Sequence, residues 1–273
     1  MTADTPVAEE KDKNNIKFIP GETNILLIAP HGHPKDDIDT GKLTRLFAED
    51  NGCYAIVNEV YGRKADAPHN INLNSLSDVK EHLLNEFLTP LLEYKKKVSE
   101  HGNPLIFWIH GAKKSNIMRD IPKGEGVNPG DIHVLVGYGQ DSQEQRHTAK
   151  IETVEKFINA LNQAGLNAEP ANDTIRQKIK EEKAEEGQIS YCGWANDNMN
   201  QLFRAGENMD PDVQSIQLEF RKLGCRDSDE NIKKTTEMLS QAISVLIQPE
   251  IKSALTDDPL VLKAYDKIGR AHV

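Results

Sequence analysis

The sequence predicts an α/β fold with a mostly parallel or mixed sheet and helices on both faces. Apolar runs of strand length recur along the chain, amphipathic helical stripes separate them, and two of the runs end in His-Gly. Strands alternating with helices are joined most simply by crossovers, which bury a sheet on both faces.

Residues 1–15 are polar and charged without an apolar centre, so they read as a disordered tail rather than a secretory signal. Residues 25–29 (ILLIA) read as a buried strand that breaks at Pro30-His31-Gly32, where Gly32 is expected to permit a sharp turn. Residues 41–50 place Leu43, Leu46 and Phe47 at helical spacing and stop at Asn51-Gly52. Residues 54–58 form the next strand. The 79–98 stretch carries Leu83, Leu84, Phe87, Leu88, Leu91 and Leu92 on one stripe, a long helix that Pro90 is expected to kink or divide. A turn at His101-Gly102-Asn103-Pro104 leads to a strand over 105–110 that closes on His110-Gly111. Residues 111–131, rich in Gly, Pro and Lys, read as a long loop over the strand ends.

A strand over 132–137 follows, then a helix marked by Ile151, Val154, Phe157, Ile158 and Leu161 and terminated by Gly165. Residues 174–186 are dense in charge and read as a solvated helix or a mobile segment. Residues 213–220 (VQSIQLEF) form the last strand, and 229–248 a helix packing on Ile232, Leu239, Ile243 and Leu246. With no internal repeat, 16–267 is expected to be one domain. The final six residues, 268–273 (IGRAHV), resemble a frame translation of a sequencing-library adapter and read as a non-native tail, the alternative being ordinary fraying; His272 is given no role.

The formal net charge of −10 disfavours binding to nucleic-acid backbone. No apolar run approaches the roughly 20 residues of a membrane span. Three cysteines, widely spaced and odd in number, fit a reducing cytoplasm rather than a disulfide framework. None has Cys-x-x-Cys spacing, so a metal would rest on His and carboxylate ligands. No dinucleotide fingerprint, phosphate loop or Gly-x-Ser-x-Gly elbow occurs.

His31 and His110 each follow a buried strand and precede glycine, at the sheet edge where α/β folds hold ligands. With a nearby acid they are what a mononuclear zinc site with an open position needs. Asp36 and Asp37 are both candidates for the acid. Either could instead serve the helix that follows, with Asp37 or Asp39 as its cap. His33 is a further possible ligand. Glu219 alternates with Leu218 and Phe220 in an apolar strand; burial would cost several kcal/mol unless it faces a polar site, and would raise its pKa toward that of a general base. The competing reading is an edge strand with Glu219 in solvent or paired with Arg221. Arg63, just beyond the second strand and Asn58, could clamp a substrate carboxylate or form a surface ion pair. Asn70, Asn72 and Asn74 form a polar ladder that could hold substrate or close a loop through side-chain turns.

Ala29-Pro30-His31-Gly32 with Asp37-x-x-Thr40 resembles the opening metal motif of N-formylglutamate amidohydrolase-like proteins, a superfamily that includes poly-γ-glutamate hydrolases and shares its fold with zinc carboxypeptidases. Ile216-Gln217-Leu218-Glu219 resembles their late Gln-x-Glu strand, and Ile71-Asn72-Leu73-Asn74 their Asp-Leu-Asn-Arg motif. The resemblance implies zinc on His31, Asp37 (or Asp36) and His110, with Glu219 as general base. It implies cleavage of an amide bond in a small acidic, N-acyl-glutamate- or γ-glutamyl-like substrate. Asn72 and Ser75 stand where the family has Asp and Arg, so the carboxylate contact falls to Arg63, with Asn58, Asn72 and Asn74 beside it. The same departures leave open a degenerate ligand-binding protein of this fold. A third class, a phosphate-binding protein using Gly137-Tyr138-Gly139, would need no metal.

Overall fold

The structure, a computed structural model, describes residues 16–34, 36–63, 70–112, 132–140, 146–171, 191–204 and 212–256, with side chains to residue 247. Seven strands form one mixed sheet: β1 (Lys17–Ile19), β2 (Ile25–Ala29), β3 (Tyr54–Val57), β4 (Leu105–Ala112), β5 (Val134–Gly137), β6 (Ala168–Pro170) and β7 (Gln214–Arg221). Their order is β1-β3-β2-β4-β7-β5-β6. The central block β3-β2-β4-β7 is parallel, β1 joins it antiparallel, and β5 runs antiparallel to β7 while pairing in parallel with β6.

Helices cover both faces. On one side α1 (Thr40–Asn51), α4 (Ile151–Ala164) and α5 (Asp229–Thr256) bury Leu43, Phe47, Phe157, Leu161, Leu239 and Ile243 against Leu27, Phe107, Ile109, Ile216 and Leu218. On the other, α2 (Leu76–His82), a π-helical turn (Leu84–Leu88), α3 (Thr89–Ser99) and a 3-10 turn (Met199–Phe203) cover Leu26, Ile28, Ile106 and Trp108 with Val79, Phe87, Leu91 and Phe203. Strand residues two apart share a face, so β3, β2 and β4 feed both cores, while β7 gives Ile216, Leu218 and Phe220 to the first core alone.

The long helix expected over 79–98 divides, but not at Pro90. Leu83 leaves helical geometry at φ −129°, ahead of the π-helical turn. Pro90 falls in the first turn of α3, where its missing N–H leaves no bond unmade. Gly165 ends α4 at φ 97°, as its sequence position predicts. The expected loop begins later than 111, because Gly111 and Ala112 continue β4. Residues 113–131 and 174–186 and both expected tails lie outside the described residues.

The crossover through α1 carries the chain from β2 to one side, and the crossover through α2 and α3 returns it from β3 to β4 on the other side of β2. The order therefore reverses between β2 and β4, and the C-terminal ends at such a switch point are where open α/β sheets bind ligands. His31 and His110 stand at those two ends.

Candidate active site

The turn after β2 is built by main-chain bonds. Asp37 N–H donates to His31 O at 3.1 Å, and both Thr40 N–H and Oγ1 donate to Asp37 O. Gly32 has no left-handed φ, contrary to its expected role. A Cβ there would lie 2.8 Å from Asn58 O and 3.1 Å from Gly41 Cα, so glycine is required by close approach of neighbouring chain. The left-handed residue is Asp39, φ 66°, which caps α1 through its backbone without a side-chain bond.

This turn delivers Asp36 and Asp37, both buried, beneath the two histidines. The imidazoles meet edge to face with centroids 5.2 Å apart. His31 Nδ1 lies 3.6 Å from Asp36 Oδ2, and His110 Nδ1 lies 3.7 Å from Asp37 Oδ2. Arg63 bridges the carboxylates: Nε reaches Asp36 at 2.9 and 3.0 Å, and Nη2 reaches Asp36 Oδ1 at 2.6 Å and Asp37 Oδ1 at 2.8 Å. Asp37 Oδ2 also accepts from Gly111 N–H at 3.0 Å. The surface ion pair considered for Arg63 is thus replaced by a fork into two buried acids. Among the described residues its Nη1 makes no hydrogen bond, and the side chain remains one-third exposed.

Burial, reinforced by the Arg63 cation, lowers His31 to about 3 and keeps its imidazole neutral. Burial alone would raise both aspartates, but Arg63 outweighs it at Asp36, and the His110 contact and Arg63 do so at Asp37, holding both below the usual carboxylate range.

On β7, Ser215, Gln217 and Glu219 face the same side as Trp108 and His110, with Glu219 in register with His110. Glu219 is buried, and burial with the charge of Asp37 pushes it up to about 7. Gln217 Nε2 donates to Glu219 Oε1 at 2.9 Å, while Asn198 Nδ2 donates to Gln217 Oε1 at 3.2 Å, fixing the carboxylate from below. The alternative of a solvent-exposed Glu219 paired with Arg221 is set aside by this burial.

The asparagines divide differently from expectation. Asn58 is spent on the backbone: Nδ2 donates to Pro30 O and Tyr61 O, and Oδ1 accepts from Val60 N–H and Tyr61 N–H. It braces the turn and has no donor left for a substrate. Asn72 Oδ1 accepts from Asn74 N–H, a side-chain turn that leads into the Ser75 cap of α2. Asn74 Oδ1 is buried without a hydrogen bond. Gly137 and Gly139 cradle no phosphate, because a Cβ at either would strike the main chain of Tyr191 or Arg146.

Three residues near the site carry little or no signal in the sequence. Gln217 has one, lying two residues before Glu219 on the same strand face. Tyr191, nearly buried, sits in the field of Glu219 and Asp37; burial and those charges push its phenol far up. Arg226 is 1% exposed. A cleft of about 310 Å³ at the opposite sheet edge, lined by Asn24, Leu105, Lys150 and Gln214, contains none of these groups.

Among the described residues no three His, Cys, Asp or Glu side chains are already gathered as a metal-binding group. The donor chemistry nevertheless fits zinc, which takes imidazole nitrogen and carboxylate oxygen. His110 Nε2 is buried without a hydrogen bond, the mark of a position shaped for something to bind. The Nδ1 of His31 facing Asp36 is how proteins orient a metal-ligating imidazole.

No protein-family model matches the chain, and no curated protein matches it by sequence. In structure it is similar to an N-formylglutamate amidohydrolase from Ralstonia eutropha JMP134 (10% identity, 88% of this chain and 99% of that one, TM-score 0.49). It is also similar to a bacteriophage poly-gamma-glutamate hydrolase (15% identity, 86% and 91%, TM-score 0.43). A metallo-carboxypeptidase from Burkholderia cenocepacia is likewise similar (13% identity, 84% and 57%, TM-score 0.38). These are the protein types that the sequence motifs resemble. At such identities and scores, residue roles rest on the geometry above. No helix among the described residues is long and apolar enough to cross a membrane.

Proposed function

We propose that the chain is a zinc-dependent hydrolase that cleaves the C–N amide bond of a small acidic substrate, N-acyl-glutamate- or γ-glutamyl-like. One observation carries the reading: at the switch point, two histidines each stand beside a buried aspartate, and a buried glutamate on β7 lies in register with His110. His31, His110 and Asp37 would hold the ion, with Asp36 beneath His31 as orienting partner. Zinc in such a site acts as a Lewis acid and lowers the pKa of water. Glu219, at about 7, is divided between its two protonation states near neutrality. That suits a group that takes a proton from attacking water and returns it to the leaving amine. Arg63 keeps Asp36 and Asp37 ionised through Nε and Nη2 and offers Nη1 to a substrate carboxylate. Asn72 and Asn74 remain candidate substrate contacts. The formal net charge of −10 supports a small-molecule partner rather than nucleic acid, and the thiol pattern supports a cytoplasmic setting.

The test is elemental analysis after zinc loading and dialysis, with hydrolysis of N-formyl-glutamate and a γ-glutamyl peptide assayed in parallel. The wild type retains one zinc per chain, His110→Ala retains none, and Glu219→Gln retains zinc without turnover. Stoichiometric zinc in His110→Ala overturns the ligand assignment, and zinc without hydrolysis of either amide favours the degenerate ligand-binding reading.

A further inference from the structure

We infer that Arg226 is a positioning residue that fixes the three site-bearing segments relative to one another. Among the described residues its guanidinium makes three hydrogen bonds, all to main-chain carbonyls. Nε donates to Phe220 O at 3.2 Å, Nη2 to Ala112 O at 3.0 Å, and Nη1 to Ile38 O. Phe220 follows Glu219, Ala112 stands two residues after His110, and Ile38 follows Asp37. One side chain therefore grips the end of β7, the end of β4 and the turn after β2, each beside the residue it contributes to the site. The inference rests on the proposed function only in calling those three residues a site.

The choice of arginine follows from the geometry. Three carbonyls from two strand ends and a turn need donors diverging in one plane, which a guanidinium supplies and an ammonium or a neutral amide does not. A buried cation without a carboxylate in hydrogen-bonding contact is unusual, since isolated burial of charge is costly. Here Asp37, Glu219 and Asp39 lie in its field. Each of those acids adjoins in sequence a residue whose carbonyl the guanidinium holds, so its charge is balanced by side chains next to the peptides it grips.

Gly111 supplies an independent observation. It sits within β4 and has no left-handed φ, yet a Cβ there would lie 2.5 Å from Arg226 Nη2 and 2.6 Å from Cζ. The glycine after His110 is therefore required by the arginine. It also donates its N–H to Asp37 Oδ2, so the clamp and the site meet at one peptide.

Amide hydrogen exchange of Arg226→Lys, in metal-free protein, tests this. The expected result is at least ten-fold faster exchange at Gly111 than in the wild type, with the sheet-interior amides of Leu27 and Ile216 within two-fold of wild type. In the zinc-loaded series, affinity for Zn2+ falls at least ten-fold at a temperature where the variant is folded. Exchange at Gly111 that is unchanged, or that accelerates in step with Leu27 and Ile216, overturns the inference, since the residue would then only stabilise the fold. A wild type that takes up no zinc overturns the proposed function and leaves the exchange result to decide the clamp. Should the lysine variant not fold, the wild-type guanidinium decides. Three carbonyl contacts hold its Nη protons as separate, slowly exchanging resonances, and a single averaged, fast-exchanging signal overturns the clamp.

Discussion

Replacing Glu219 with Gln should make the metal-free protein more stable above neutral pH while abolishing turnover. The folded state raises Glu219 from 4.5 to about 7 through burial. Stability linked to it is therefore intact below the unfolded value and is lost as pH climbs through the folded one. The shift corresponds to roughly 3 kcal/mol at 1.36 kcal/mol per unit, fully expressed by about pH 8. Gln carries no charge, has nearly the same shape, and can still accept from Gln217 Nε2 through its Oε1. It should thus recover most of that loss at pH 8 and nothing at pH 4. In a domain of this size each kcal/mol moves the midpoint by ~2–4 °C, giving a rise of ~6–12 °C. His31 titrates in both proteins, so comparing the pair at each pH isolates Glu219. The measurement is thermal unfolding followed by circular dichroism at pH 4, 6 and 8 with chelator present. A variant equally or less stable at pH 8, or one whose gain does not grow with pH, refutes the argument that the site stores this energy.

Arg63→Ala strips the cation from two buried carboxylates and should destabilise by about 3–5 kcal/mol, as removal of one member of a buried pair does. The urea midpoint at pH 7 reports it, and an unchanged midpoint would mean that water replaces the guanidinium without cost. Cys53, Cys192 and Cys225 are buried, and burial pushes the Cys53 and Cys225 thiols up to about 11. At pH 8 a disulfide-exchange reagent should therefore titrate fewer than one thiol in native protein and three in denaturant; rapid labelling of native protein contradicts the burial of all three.

Much of the architecture was legible because buried strands announce themselves as apolar runs. β2, β4 and β7 each appeared that way, and His31, His110 and Glu219 drew attention as polar residues at or within such runs. β1 and β6 did not, since three residues show no period. The antiparallel pairing of β5 with β7 also left no trace, because apolar content does not encode strand direction. The two aspartates and Arg63 were each visible, but their pairing was not: Arg63 joins the acids across a span that only the folded chain closes. Asn58 misled because an asparagine beside a site and one bracing a turn have the same composition. Arg226 lies in a polar stretch after β7 with nothing periodic to mark it.

The position of β7 bears on the order in which the protein can come together. It is the last of the described strands in sequence, yet it occupies the gap between β4 and β5 and pairs with both. A chain synthesised only through β6 therefore has a left unit of β1–β4 and a right unit of β5–β6 with no hydrogen bonds between them, and exposes the raw edges of β4 and β5. Such edges recruit other strands and favour aggregation until they are filled. Because its neighbours are distant in sequence, their closure is slow relative to local contacts. Assembly of the sheet thus finishes from the middle, and the site, which needs Glu219, forms in the same step that seals it.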